Sequence, residues 1–315
     1  MISKKLLAFT ASALLFTGLF AQEIRVGLLN GPSCVPAAYM MENTKSIKNV
    51  KVTYTKYADP QALLPKLLKN EADIGFLPPN VAAKVYNSTN GAVIMCAVTG
   101  NGNLSLITKD SSVQSLEDLK GKTVYVAGHG ATPDYILKYL LKEKGISINT
   151  PDGVTLDFSI PSANLAAMLL SGKIEYAVVP EPFTTIAQQK DSSVIAIDLQ
   201  KTEYEVLNKE NYPLTVMVVR KDFAEENKAP LNAFLKEYEK ACKWTVKNPA
   251  KAGELCQKNE LGLPATVVEK AIPKSNYVYE PAKKNKEKIE KLLKLFLQDD
   301  PSSIGGKLPD EKFYY

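Results

Sequence analysis

The 315-residue chain is poor in the residues that carry most metal and acid–base chemistry: it has one histidine, one tryptophan and four cysteines. A single histidine, with no cysteines at metal-ligand spacing, makes a zinc site improbable, and no metal or cofactor is expected. No serine elbow or other triad pattern is present. His129 is therefore read as a ligand-contacting or hydrogen-bonding group rather than a catalytic base. Charge of one sign is also scarce. The formal net charge is +5, two units of it from Lys4 and Lys5. The other lysines and glutamates are interspersed, so no basic stripe for nucleic acid emerges. Beyond the first 21 residues no apolar run is long enough to span a bilayer. With 45% hydrophobic and 23% charged residues the composition is that of a globular protein, and the length allows two cores.

What is present begins with a leader. Residues 1–21 have the layout of a secretory signal: Lys4-Lys5, an apolar stretch from Leu6 to Phe20, then Ala21 before Gln22. Cys34 comes too late to serve as a lipid-anchoring cysteine, so the expectation is a soluble, exported, periplasmic protein. Export permits disulfides. Cys242 and Cys256 lie 14 positions apart on either side of the turn signal Asn248-Pro249. A disulfide between them would staple a helical hairpin, worth about 3 kcal/mol in the chain-entropy picture. Cys34 and Cys96 have no comparable local argument.

The segment Leu67–Pro79 recurs without a gap 102 positions later as Leu169–Glu181. Each copy reads as an apolar helix end, a polar turn carrying acid, a short apolar strand and a proline-marked loop. A strand apolar on both faces that follows a helix belongs to a parallel sheet covered by helices. Loops at the carboxyl ends of such strands are where open α/β sheets bind ligands. Two copies imply two α/β lobes, each with a ligand-facing loop. The expected architecture is two parallel-type sheets flanked by helices and joined by two hinge strands. Lobe one comprises residues 22–102 and 214–315; lobe two, residues 103–213, is inserted into it. Crossings near 99–104 and 212–216 would form the hinge.

Candidate contacts fall at the predicted loops. In lobe one these are Asn30, Gly31, Pro32 and Ser33 after the first strand, Pro79 and Asn80 after the repeated strand, and Asn101 and Asn103 at the crossing. In lobe two they are His129, Gly130, Ala131 and Thr132, then Glu181. Gly128-His129-Gly130-Ala131-Thr132-Pro133 superficially follows the dinucleotide fingerprint, but proline replaces its last glycine, which excludes that close packing. What survives is a helix start, with Thr132 as expected N-cap and Pro133 at N1, whose free N–H groups favour an anion. Glu181, between Pro180 and Pro182 at the tip of a buried strand, is the only cleft carboxylate and would receive an amine or amidine.

Several of these stretches resemble the periplasmic substrate-binding proteins of ABC importers, in the group that binds sulfonates, nitrate, taurine and thiamine pyrimidine precursors. The resemblance is carried by Leu29-Asn30-Gly31-Pro32-Ser33, Glu71 to Phe76, Leu116 to Thr123 with Gly128 to Asp134, Pro180-Glu181-Pro182-Phe183, and Val218 to Phe223. It implies a two-lobe fold, a monomer that closes around a small solute, and delivery to an inner-membrane permease with its cytoplasmic ATPase. The expected solute is small, polar and organic, aminopyrimidine-like or sulfonate-like. The alternative is an exported enzyme on the same fold acting on a small nitrogen heterocycle. The cysteine-dense motif of the enzyme branch that makes the thiamine pyrimidine is missing.

Overall fold

The computed structural model describes residues 23–29 and 31–315. The expected signal segment and Asn30 lie outside the described residues. Twelve strands follow in chain order: β1 (Glu23–Leu29), β2 (Ser46–Ile47), β3 (Val50–Tyr57), β4 (Ile74–Leu77), β5 (Val93–Asn101), β6 (Leu104–Thr108), β7 (Thr123–Val126), β8 (Thr155–Asp157), β9 (Tyr176–Pro180), β10 (Ile195–Asp198), β11 (Pro213–Arg220) and β12 (Tyr277–Pro281). They form a seven-stranded sheet of order β12-β5-β11-β4-β1-β3-β2 and a five-stranded sheet of order β10-β6-β9-β7-β8. The chain leaves the first sheet after Asn101, enters the second at Leu104 and returns at Pro213.

Neither sheet is purely parallel. In the first, β1 runs parallel to β3 and β4, while β11 is antiparallel to both β4 and β5. In the second, β7 is parallel to β8 and β9, and β6 is antiparallel to β9 and β10. Two of the antiparallel members, β6 and β11, are those by which the chain enters each sheet from the other. A strand that arrives from the opposite sheet enters from the cleft end and so runs against the βαβ strands. Five-residue β12 was not anticipated, because its half-buried residues alternate too weakly to mark an edge strand.

The two copies of the repeated segment take equivalent places. β4 lies between parallel β1 and antiparallel β11; β9 lies between parallel β7 and antiparallel β6. All four β4 residues are buried, as are the first four of β9. Each strand is fed by a helix, Pro60–Leu68 or Ser162–Leu170. Leu63 and Leu67 of the first helix are buried, each contributing roughly 1.5–3 kcal/mol by leaving water. Gly27 on β1 permits this close packing, since a Cβ there would lie 2.2 Å from Leu63 Cδ1. At the crossing, Gly102 is equally constrained: a Cβ would lie 2.2 Å from Tyr212 Cζ and 2.4 Å from Gln200 Oε1.

Two local expectations are corrected. The helix Thr132–Glu143 takes Ala131, not Thr132, as N-cap, because Thr132 is already helical and its buried hydroxyl makes no capping bond. The four cysteines are free and buried, so Cys242 and Cys256 are not joined. Their helices, Lys228–Lys247 and Pro249–Lys258, turn the two thiols toward different neighbours. Cys256 Sγ faces the carbonyl of Val35, 4.0 Å away. Burial pushes both thiols up to about 12, which makes them poor nucleophiles.

Candidate functional site

A cavity of about 200 Å³ opens where the carboxyl ends of β1 and β4 face that of β9. Leu29, Leu77 and Pro78 supply wall from the ends of β1 and β4. Thr99 and Gly100 on β5 and Leu214 and Thr215 on β11 close the hinge side, and Tyr277 of β12 flanks them. The five-stranded sheet contributes Pro180 and Glu181. Most of the exposed surface of this cavity is apolar, and among the described residues no lysine or arginine lines it. Such a site takes a small organic body and offers a few aimed polar groups.

Those polar groups differ in how much of their hydrogen bonding is spent. Asn101 is committed to the protein: its amide donates to Glu280 Oε1 at 3.2 Å and its carbonyl accepts from Lys288 Nζ at 3.0 Å. Tyr277 is also committed, its hydroxyl donating to the carbonyl of Pro32 at 2.8 Å and so fixing the loop after β1. Asn103 donates to the carbonyl of Ser275 at 3.2 Å, but its own Oδ1 is buried without a partner among the described residues. Glu181 is 3% exposed, and one carboxylate oxygen accepts from the Thr185 N–H at 3.1 Å. Burial pushes its carboxyl above the ordinary carboxylate range, against the pull of the Thr185 bonds and of Lys274. A buried acid with one oxygen engaged and the other turned to a cavity favours a ligand that donates.

Of the candidates read from sequence, the structure brings Pro32, Ser33, Asn101, Asn103 and Glu181 into this one wall. Gly31, Pro79, Asn80, Gly130, Ala131 and Thr132 are not in it. His129 is exposed, its ring packed edge-on against Phe158 at 4.7 Å. Asn80 nevertheless joins the two sides, its amide donating to the carbonyl of Gly130 at 3.1 Å. Gly130 is held in turn by its N–H bonding to Asp134 at 2.9 Å. The site residues that sequence reading missed are Thr99, Thr215, Ser275 and Tyr277. The first two belong to crossing strands recognised as such, but their facing was not; the others sit on or beside the unforeseen edge strand.

A model of the family described as NMT1-like matches residues 21–258. The taurine-binding periplasmic protein of Escherichia coli (strain K12) is 27% identical over 241 residues, 76% of this chain and 72% of that protein. Among solved structures, an ABC transporter protein from Parabacteroides distasonis matches with a TM-score of 0.80 at 27% identity, over 93% of this chain and 99% of that one. The periplasmic aliphatic sulphonate binding protein of Escherichia coli matches with a TM-score of 0.74 at 17% identity, over 93% and 92% of the two chains, which bears on the fold alone. The family match spans well over half of the chain: this protein belongs to the NMT1-like family and stands among the substrate-binding proteins of ABC importers.

Proposed function

We propose that this protein is a periplasmic solute receptor that traps a small polar organic molecule between two lobes and hands it to an inner-membrane permease with its cytoplasmic ATPase. The observation that carries this reading is the cavity walled from both sheets, with Glu181 its only acid among the described residues. A solute touching both walls stabilises the closed arrangement over an open one, and that differential contact is what drives a population shift. The lobes, residues 22–102 with 214–315 and residues 103–213, would move about the two crossings at Asn101–Leu104 and Tyr212–Pro213.

The walls favour a solute with a hydrogen-bond donor. A bare inorganic anion such as nitrate would leave Glu181 repelling it, with no lysine or arginine in the wall to offset that cost. Taurine, the solute named for one relative, carries an ammonium beside its sulfonate and meets the requirement; an aminopyrimidine also meets it. Native mass spectrometry of the protein as purified from its own periplasm, together with scattering, tests the proposal. A retained small organic molecule whose removal expands the particle is the expected result. A particle of unchanged dimensions with every solute of a panel would refute trapping.

A further inference from the structure

The cavity does not stop at Glu181. A second chamber of about 230 Å³ adjoins it, and Asn103 and Glu181 line both. The second chamber is polar where the first is apolar. Ser105, Thr184, Asp198 and Lys201 face Lys274 and Asn276 across it. The first chamber has no cation in its wall, whereas the second has two.

The partition between them carries unspent acceptors. Asn103 Oδ1 is buried and unpartnered among the described residues, and one oxygen of the 3%-exposed Glu181 carboxylate is taken by Thr185. The hydroxyl of Thr184, beside them, also has no partner there. An unmet buried acceptor is destabilising, and a bound N–H group would remove that cost. In the second chamber, Asp198 is already engaged by Lys201, through its main-chain N–H at 3.1 Å and its ammonium at 3.9 Å. Lys274 donates to the neutral Gln188 at 3.3 Å and forms no ion pair among the described residues, though its charge reaches the Glu181 carboxylate at the partition. Its charge is thus available to an acid.

We propose that the solute is a zwitterion with an apolar substituent on its nitrogen. The substituent fills the first chamber, the ammonium sits at the partition against Asn103 Oδ1 and Glu181, and an acid group a few atoms away reaches Lys274 in the second chamber. This deepens the receptor reading above and rests on it. The two chambers together exclude small zwitterions by what they leave unfilled: a molecule without the substituent forgoes burial of roughly 25 cal/mol per Å² of apolar surface.

Calorimetry with four probes separates the parts. N-cyclohexyltaurine has all three groups; taurine lacks the substituent, cyclohexylamine lacks the acid, and hexane-1-sulfonate lacks the nitrogen. N-cyclohexyltaurine is expected to bind at least tenfold more tightly than each of the others. Lys274→Gln, at an exposed position outside the core, should remove its advantage over cyclohexylamine. Ala196→Phe, which narrows the second chamber, should do the same. Equal affinity for taurine and N-cyclohexyltaurine, an advantage that survives both variants, or binding of none of the probes would overturn the two-chamber proposal. The receptor reading would stand or fall separately, on the retained solute and the scattering result.

Discussion

The two copies of the repeated segment are alike in what holds them and unlike at their ends. Both helices stop at the same offset, Leu68 and Leu170, and both turns pass through a left-handed residue, Asn70 (φ 61°) and Gly172 (φ 71°). Both strands lie between one parallel and one antiparallel neighbour. At the base, the first copy buries its acid and the second does not. Asp73 is fully buried, accepting from the main-chain N–H of Arg25 at 2.8 Å and from its guanidinium at 2.7 and 2.9 Å, with Arg220 3.6 Å away. Glu175, its counterpart, is exposed. At the cleft the asymmetry reverses. Pro79 begins a helix at once and carries no charge, whereas its counterpart Glu181 precedes the helix Phe183–Lys190 and faces the cavity. The shared part of the repeat builds a sheet position. The difference places one carboxylate where it anchors the fold and the other where it lines the cavity.

The largest effect should come from the base. Asp73→Ala removes the carboxylate that Arg25 pairs with and is expected to cost about 3 kcal/mol, the lower end for breaking a buried pair because Arg25 is partly open to water and Arg220 keeps Asp222 at 3.3 Å. Glu175→Ala should stay within about 0.5 kcal/mol, as exposed substitutions do. Urea unfolding of both variants measures the contrast, and equal losses would break the comparison.

At the cleft, Glu181→Gln should weaken binding of the retained solute by about 1.5–3 kcal/mol, the contribution of a hydrogen bond to a charged group. Unchanged affinity by calorimetry would shift the assignment toward a simple anion. The same variant should leave the empty protein no less stable at neutral pH. Glu181's folded-state pKa is raised, so the folded form binds its proton more readily than the unfolded chain. That contribution is present below the ordinary carboxylate pKa and fades as pH rises through the raised one. Unfolding curves across that window should show wild type losing stability with rising pH relative to Glu181→Gln; parallel curves would mean the burial of Glu181 carries no such cost.

The smallest effect sharpens the likeness. Asn70→Ala and Gly172→Ala each place a Cβ residue poorly suited to the left-handed region at the same turn. Each is expected to cost about 1 kcal/mol. A large difference between them, read from thermal unfolding, would show that the two turns are not equivalent.

Much of this was legible in the sequence because the repeat encodes local rules. Apolar strands, left-handed turn residues and proline-started helices all act over a few residues. The first crossing was legible for the same reason, glycines and asparagines interrupting an otherwise strand-like run; the second was read from the apolar run Pro213 to Val219. The direction of the crossing strands was not, since it depends on which end of the other sheet the chain leaves. Nor was the facing of Cys242 and Cys256: a spacing of 14 brings two helices together but leaves open which sides meet. Glu181 was found from its proline frame. Its partner at the partition, Asn103, was named without the reason for its importance, because an unmet carbonyl is a property of packing that no spacing records.

The bond from Asn80 to the carbonyl of Gly130 spans the two sides without involving the solute. In the receptor proposed above, a clasp of this kind would be indifferent to cargo: it would hold a bound molecule longer and, to the same degree, prolong the shut, vacant state. Retention and vacant closure would then rise together, and part of that balance would rest on this one amide bond.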